Sequence, residues 1–134
     1  MDEYEKSVKR HCGRVGAIEV FLSGPGLENY YEYKTKSKIP SREIVSLYQK
    51  KDSVAGEVMN VYFERIARSF SSFVNILDPD IIVCGGGMSE IGGIYDEVPK
   101  RIIPYIASNF FLTPIVKAAH GSSSGVRGAA HLWN

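Results

Sequence analysis

The stretch FVNILDPDIIVCGGGMS, residues 73–89, decides the fold that we predict for this chain of 134 residues. Pro79 ends the helix that leads into it, because proline disfavours the helical conformation at the residue before it, Asp78. Residues 80–84 (DIIVC) then carry a β-branched run without alternation, which is typical of a strand covered on both faces. We therefore expect this strand in the middle of an α/β sheet, followed by a turn of three consecutive glycines.

Apolar residues at helical spacing predict helices on both sides of this stretch. The long helix before it can be capped by Asp52 or Ser53 and runs to Leu77. The chain should therefore be helix-rich with few strands. The other predicted elements are two short helices or one kinked helix over residues 16–33, a helix that Ser41 caps and that ends near Lys51, a helix over residues 94–106, a strand over residues 115–118, and a last helix over residues 122–133 with serines that can cap it.

Size and composition indicate one globular domain over residues 1–134 that can still be incomplete, with residues 1–10 as a loop or tail because they are charged and lack an apolar period. Apolar residues make up 44% of the chain and charged residues 23%. No apolar stretch approaches the roughly 20 residues that span a bilayer, so we expect no membrane partner. Two cysteines do not make a disulfide framework, which favours a reducing compartment and a cytoplasmic location.

The charge balance argues against a polyanionic partner. Lysine and arginine number 16 against 15 aspartates and glutamates, a net charge of +1. The basic run KTKSK, residues 34–38, is interrupted by Thr and Ser and lacks interleaved aromatics. We interpret it as a solvated loop and expect no nucleic acid as a partner.

The three glycines at positions 85, 86 and 87 are the sharpest candidate site. Ligands of open α/β sheets bind beyond the carboxyl ends of the strands, where glycines let backbone N–H groups approach a nucleotide. The pattern is neither a dinucleotide fingerprint nor a Walker loop. A tight structural turn would use the same residues, so residue types alone leave the two interpretations balanced.

Two other clusters are weaker candidates. Cys12 with the adjacent His11 cannot complete a tetrahedral zinc site, which needs four ligands. Glu19, on the first turn of a helix, can accept hydrogen bonds from hydroxyl groups or complement the helix dipole, and the residues alone favour the dipole. His120 and the glycine and serines after it could hold an anion, but helix capping needs the same residues and is favoured.

Three blocks of this sequence together resemble the C-terminal part of the ROK family, which comprises sugar kinases and related sugar-responsive repressors. The blocks are CGRVGAIEVFLSGPG (residues 12–26), FVNILDPDIIVCGGGMS (residues 73–89) and HGSSSGVRGAAHLW (residues 120–133). The last two are most similar to the fructokinase and mannokinase branch, with N-acetylglucosamine kinases next. The resemblance implies a helix-rich α/β fragment of the actin-like, ribonuclease H-like kinase fold, and thus a single partial domain.

The resemblance also implies a sugar contact and the loss of a zinc site. The family's first block reads Cys-x-Cys-Gly-x-x-Gly-Cys-x-Glu, and its three cysteines bind zinc with an upstream His. Here Arg10 and Ala17 stand in place of the first and third cysteine, and Cys12 is the only one retained, so we expect no metal. His11 is a conceivable substitute ligand, but a pair would bind weakly. The match at the end of the block implies that Glu19 binds the substrate sugar.

For the nucleotide, the resemblance implies that Gly85, Gly86 and Gly87 line the adenosine side of an ATP site, and that Ser23 and Gly24 lie near the same cleft. The family's phosphate-gripping Asp-x-Gly-Gly-Thr and its Asn-Asp, whose Asp is the general base, do not occur in this chain. The chain therefore holds no catalytic residue, and we expect it to be inactive alone because phosphoryl transfer depends on those parts.

The function that the resemblance implies is ATP-dependent phosphorylation of a hexose, of the fructokinase type and with Mg²⁺, by the intact parent kinase. The alternatives are a fragment of a sugar-responsive transcriptional repressor and a non-catalytic remnant. In a fragment the strand at residues 81–83 would present an unpaired edge, so we expect association with itself or with the rest of its protein. We accordingly expect a homo-oligomer.

Overall fold

The computed structural model describes residues 3–9, 13 and 15–133, which divide into two compact units, one up to Arg65 and one from Ile66. The prediction of one partial domain over residues 1–134 stays a prediction. Short 3₁₀ helices lie at Gly87–Glu90, Ile103–Tyr105, Gly121–Ser123 and His131–Trp133. The helices and strands are α1 (Glu3–Ser7), α2 (Glu19–Leu22), α3 (Gly24–Thr35), α4 (Ser41–Gln49), α5 (Ser53–Leu77), β1 (Ile82–Cys84), α6 (Gly93–Ile102), β2 (Ile115–Lys117) and α7 (Ser124–Ala130).

The first unit has its core between α3, α4 and the first half of α5. Side chains on one stripe of α5 are buried, as helical spacing predicts, and Ile44 of α4 is fully buried. The hydroxyl of Tyr62 donates a hydrogen bond to the carbonyl of Leu22 at 2.9 Å, which ties α5 to the end of α2. The largest fully buried side chains among the described residues of this unit are Leu27, Ile44, Val58, Met59, Tyr62 and Phe63.

The expectation of a loop or tail over residues 1–10 is wrong for Glu3–Ser7, which form α1. Tyr4 and Glu5 of this helix are buried. The Glu5 carboxylate accepts a hydrogen bond from Nε of Arg65 at 2.9 Å, and both side chains are almost wholly inaccessible. Burial of α1 depends on one aromatic residue, Tyr4, and on the ion pair of Glu5 with Arg65. The helix therefore shows no apolar periodicity in the sequence.

Of the two alternatives predicted over residues 16–33, the structure has the two short helices, α2 and α3, with Ser23 between them. Ser23 caps α3, because its Oγ accepts a hydrogen bond from the amide of Gly26 at 3.2 Å. A Cβ on Gly26 would lie 2.4 Å from the carbonyl oxygen of Val20. The close approach of the two helices therefore requires glycine at this position.

The prediction for α4 is right about the helix and wrong about its cap. Ser41 is the first helical residue, Pro40 precedes it as the N-cap, and no side chain caps the helix there. The amide of Ser41 donates instead to Oε1 of Glu28 at 2.8 Å. The amides of Glu43 and Ile44, which a Ser41 cap would have served, donate to the carbonyl of Pro40 at 2.8 and 3.2 Å.

The long helix α5 is confirmed at both ends. Asp52 caps it through Oδ1, which accepts a hydrogen bond from the amide of Ala55 at 2.8 Å. The helix ends at Leu77, and Asp78 adopts a left-handed conformation with φ +43° before Pro79. None of the helices in the described part of the chain is long and apolar enough to cross a membrane.

The second unit contains a parallel two-stranded sheet in which Ile82 lies opposite Ile115 and Cys84 opposite Lys117. The expectation that β1 is covered on both faces is wrong for this chain, because Ile81 and Val83 are 50% and 58% exposed. Within the described residues β1 pairs only with β2, so its other edge is unpaired, as expected for a fragment. The helix α6 lies between the two strands in the sequence. Its buried side chains Ile94, Val98 and Ile102 form one stripe along the helix.

Candidate functional site

Two turns lie side by side beyond the carboxyl ends of the parallel strands. The glycine turn, residues 85–87, follows β1, and the second turn, residues 118–123, follows β2. The amide of Ala118 donates a hydrogen bond to the carbonyl of Cys84 at 2.8 Å, which continues the strand pairing into the turns. Ligands of parallel sheets bind at this edge, so the two turns form the candidate site.

Hydrogen bonds of the 3₁₀ helix Gly87–Glu90 and of α6 stabilise the backbone of the glycine turn. Gly86 has φ +81° and ψ 179°, a conformation essentially restricted to glycine. Its carbonyl accepts hydrogen bonds from the Oγ and the amide of Ser89, at 2.7 and 3.2 Å. The hydroxyl of Tyr95 on α6 donates to the carbonyl of Ser89 at 2.6 Å. The turn thus has a fixed backbone shape.

Only one of the three glycines is needed for that shape. Gly85 and Gly87 do not have a positive φ, and a Cβ on Gly87 would meet no atom within 4 Å. A Cβ on Gly85 would make an ordinary contact, 4.0 Å from the Cβ of Ala118. All three glycines are exposed, and no hydrogen bond among the described residues uses their amides as donors. This bare surface of N–H donors favours a ligand site over a purely structural turn.

Hydrogen bonds within the second turn shape its backbone and hold the side chain of Ser123. The amide of Gly121, which has φ +56°, donates to the carbonyl of Ala118 at 3.0 Å. The Oγ of Ser123 donates to the carbonyl of His120 at 2.9 Å, and the residue that precedes α7 makes no side-chain cap bond. The capping role expected for Ser123 is therefore wrong, because its hydroxyl closes the second turn.

Sequence reasoning missed an ion pair that borders the site. Nζ of Lys117, the last residue of β2, donates to Oε2 of Glu90, which follows the glycine turn. The two residues are 27 positions apart and carry no motif, so no sequence pattern joins them. Their proximity follows from the parallel register of β1 and β2 together with the 3₁₀ helix that leads from the glycine turn to Glu90.

Two ionisable groups near the glycine turn, Cys84 and Tyr95, have raised pKa values. Burial raises the pKa of the Cys84 thiol above its usual value. Burial also raises the pKa of the Tyr95 hydroxyl, with a smaller contribution from the neighbouring Cys84. Neither group ionises near neutral pH, whereas Glu90 and Lys117 form an ion pair beside the two turns.

The other predicted site residues lie in the first unit. Glu19 is the exposed first residue of α2 and forms no N-cap. Ser23 caps α3, and Gly24 is the first residue of that helix. The cleft that these residues were expected to share with the glycine turn stays a prediction. Arg10, His11 and Cys12 lie outside the described residues, among which no three potential metal ligands cluster.

A cavity of about 400 Å³ lies elsewhere in the second unit. It borders residues that precede the strands, including Asp78 before β1 and Thr113 before β2, and therefore opens at the amino edge of the sheet. Since ligands of parallel sheets bind at the carboxyl edge, we assign the site to the two turns and not to this cavity.

A family model described as "ROK family" matches residues 3–134. The chain belongs to the ROK family. It is similar to curated N-acetyl-D-glucosamine kinases: 40% identical over 121 residues to that of Vibrio atlanticus and 35% identical over 122 residues to that of Haemophilus influenzae. Each match covers at least 90% of this chain and 40% of the relative. The chain thus spans about 40% of the length of these relatives, which support the family and not its fructokinase and mannokinase branch.

Solved structures confirm the predicted fold class, a helix-rich α/β fragment of the actin-like sugar kinase fold. The ROK hexokinase of Thermus thermophilus matches with a TM-score of 0.79 and 24% identity, over 94% of this chain and 43% of that one. A ROK glucokinase of Streptomyces griseus, crystallised with glucose and AMPPNP, matches with a TM-score of 0.78 and 22% identity, over 90% of this chain and 45% of that one.

Proposed function

We propose that this chain is the C-terminal part of an ATP-dependent hexose kinase and supplies the adenosine side of its ATP site. The observation that carries the proposal is the glycine turn. Gly85 and Gly87 are exposed, and neither the backbone conformation nor the packing requires glycine at these two positions. The position of the turn at the carboxyl edge of a parallel sheet supports the same role. The names of the curated relatives and the AMPPNP complex of the Streptomyces griseus protein support a nucleotide-using kinase.

The hexose that we infer is an N-acetylated amino sugar. The support is the identity of 40% and 38% to the N-acetyl-D-glucosamine kinases of Vibrio atlanticus and Vibrio cholerae, each over 90% of this chain. Fructose, which the motif blocks favoured, is the second candidate. Glu19, exposed on the first turn of α2, is the proposed sugar contact, because its carboxylate can accept hydrogen bonds from hydroxyl groups.

The residues of this chain bind and orient the substrates and carry out no chemical step themselves. In the proposed enzyme, ATP with Mg²⁺ supplies the phosphoryl group. The amides of the glycine turn contact the adenosine, and Ser23 and Gly24 lie beside the same nucleotide. None of these groups is a general base for a sugar hydroxyl, so the isolated chain is inactive. We also propose that the intact enzyme is cytoplasmic and forms a homo-oligomer.

Titration of the purified chain tests this division of roles. Calorimetry with ATP and Mg²⁺, with N-acetylglucosamine and with fructose should show saturable ATP binding, a preference for the amino sugar, and no ADP formation. Sugar binding without ATP binding would favour the repressor fragment. Binding of neither ligand would favour the non-catalytic remnant, and turnover by this chain alone would contradict the assignment of catalysis to other residues.

A further inference from the structure

The Glu90 carboxylate joins the glycine turn to the second turn. Glu90 ends the 3₁₀ helix that starts in the glycine turn, and its Oε2 accepts a hydrogen bond from Nζ of Lys117, directly before the second turn. The other oxygen, Oε1, lies so near Gly121 that a Cβ built there would be 3.1 Å away. One side chain therefore contacts both the start and the middle of the second turn.

We propose that Glu90 and Lys117 are positioning residues that set the gap, meaning the spacing, between the two turns, and that the adenosine of ATP binds on the surface that the two turns form together. The inference rests on the proposed function. The side-chain hydrogen bonds that shape each turn, from Ser89 to Gly86 and from Ser123 to His120, stay within one turn. The ion pair of Glu90 and Lys117 instead links one turn to the other.

Because the ion pair of Glu90 and Lys117 is exposed, its effect on nucleotide binding can be measured separately from its effect on stability. The side chains of Lys117 and Glu90 are 44% and 52% exposed, and ion pairs as exposed as this contribute little to stability. A small change in spacing, however, weakens the fit of a rigid ligand such as a nucleoside. Loss of the pair should thus leave the fold intact and weaken nucleotide binding.

Three variants test the inference: Glu90→Gln, Lys117→Met, and the exchange Glu90→Lys with Lys117→Glu. Each single variant should weaken ATP binding by about three- to tenfold, and the exchange should recover most of the loss because it restores an ion pair across the same gap. The control Glu97→Gln removes another paired carboxylate, a partly exposed one that contacts Lys100 and Arg101 on α6, and should leave the affinity unchanged. Thermal unfolding of all variants should match the wild type.

Amide hydrogen exchange without ligand gives a second measurement. The hydrogen-bonded amides of Ser89, Ala118 and Gly121 should exchange faster in both single variants and return toward wild-type rates in the exchange variant. Unchanged exchange, or a wild type and single variants that bind ATP equally well, would overturn the inference alone. A wild-type chain that shows no saturable ATP binding would overturn the proposed function and this inference with it.

Discussion

At the scale of single residues, the glycine turn contains one glycine that its backbone conformation requires and two that it does not. Gly86 has a positive φ and would be strained by any side chain, whereas Gly85 and Gly87 lack this constraint. A Cβ on Gly87 would project into open space, where the adenosine is proposed to lie. Substitutions at Gly86 and Gly87 therefore have opposite expected effects on folding and on binding.

We predict that Gly87→Ala leaves the free energy of unfolding nearly unchanged and weakens ATP binding at least severalfold. Gly86→Ala should destabilise the chain by about 1–2 kcal/mol, because an L-residue at this positive φ is strained. Urea denaturation and calorimetry measure the two quantities. A Gly87→Ala chain that binds ATP like the wild type would show that the open surface is not the nucleotide seat.

The Cys84 thiol gives the site a pH signature. Because burial raises its pKa in the folded chain, the folded state holds the thiol proton more tightly than the unfolded state does. This stabilisation is fully present below the unfolded pKa of about 8.5 and is lost as the pH rises through the folded pKa. The free energy of unfolding should therefore fall less steeply at alkaline pH in Cys84→Ala than in the wild type. Equal slopes in urea denaturation series would contradict the shift.

At the scale of elements, the angle between α2 and α3 depends on Gly26. We predict that Gly26→Ala destabilises the chain by about 1–3 kcal/mol, because its Cβ would meet the backbone of Val20 at 2.4 Å. Gly56→Ala is the matched control, since Gly56 also lies in a helix but has no atom within 4 Å of a Cβ. It should stabilise the chain by about 1 kcal/mol through helix propensity. Equal effects of the two changes in urea denaturation would contradict the packing described for Gly26.

The elements that the sequence predicts correctly are those whose caps, apolar residues and stop signals lie within one short stretch of the chain. The helix α5 has its cap at Asp52, a long apolar stripe and Pro79 as a stop, all within one stretch. The helix α1 escaped prediction because its burial depends on an ion pair between residues 60 positions apart. In the candidate site the glycine turn follows from local pattern as well. The pairing of Glu90 with Lys117 does not, because the register of β1 and β2 and the 3₁₀ helix after the glycine turn bring these two residues together.

At the scale of the whole molecule, the second unit exposes an unusual amount of apolar side chain beside an unpaired strand edge. Ile76 and Leu77 at the end of α5 are 79% and 68% exposed, and Ile81 and Val83 flank or belong to β1. The β-branched run of β1 is typical of a strand that is covered on both faces. The described residues do not provide that cover. The exposed surface is accordingly a place of expected association.

We predict that the purified chain self-associates at micromolar concentration, and that Val83→Lys reduces the association because it places a charge on the exposed face of β1. Light scattering gives the mass of both. The exposed Val126 on α7 offers a control position, where Val126→Lys should leave the mass unchanged. A strictly monomeric wild type would contradict the expectation.

The nucleotide role of the glycine turn is tested most directly by titrating the ¹⁵N-labelled chain with ATP and Mg²⁺ while following its amide resonances. The account predicts saturable shifts at Gly85, Gly86 and Gly87 and in the second turn, which is Gly121 and its neighbours, with no comparable change around the cavity beside Asp78. Saturable binding that shifts the residues around that cavity and leaves the glycine turn unchanged would contradict the account, as would the absence of any saturable shift.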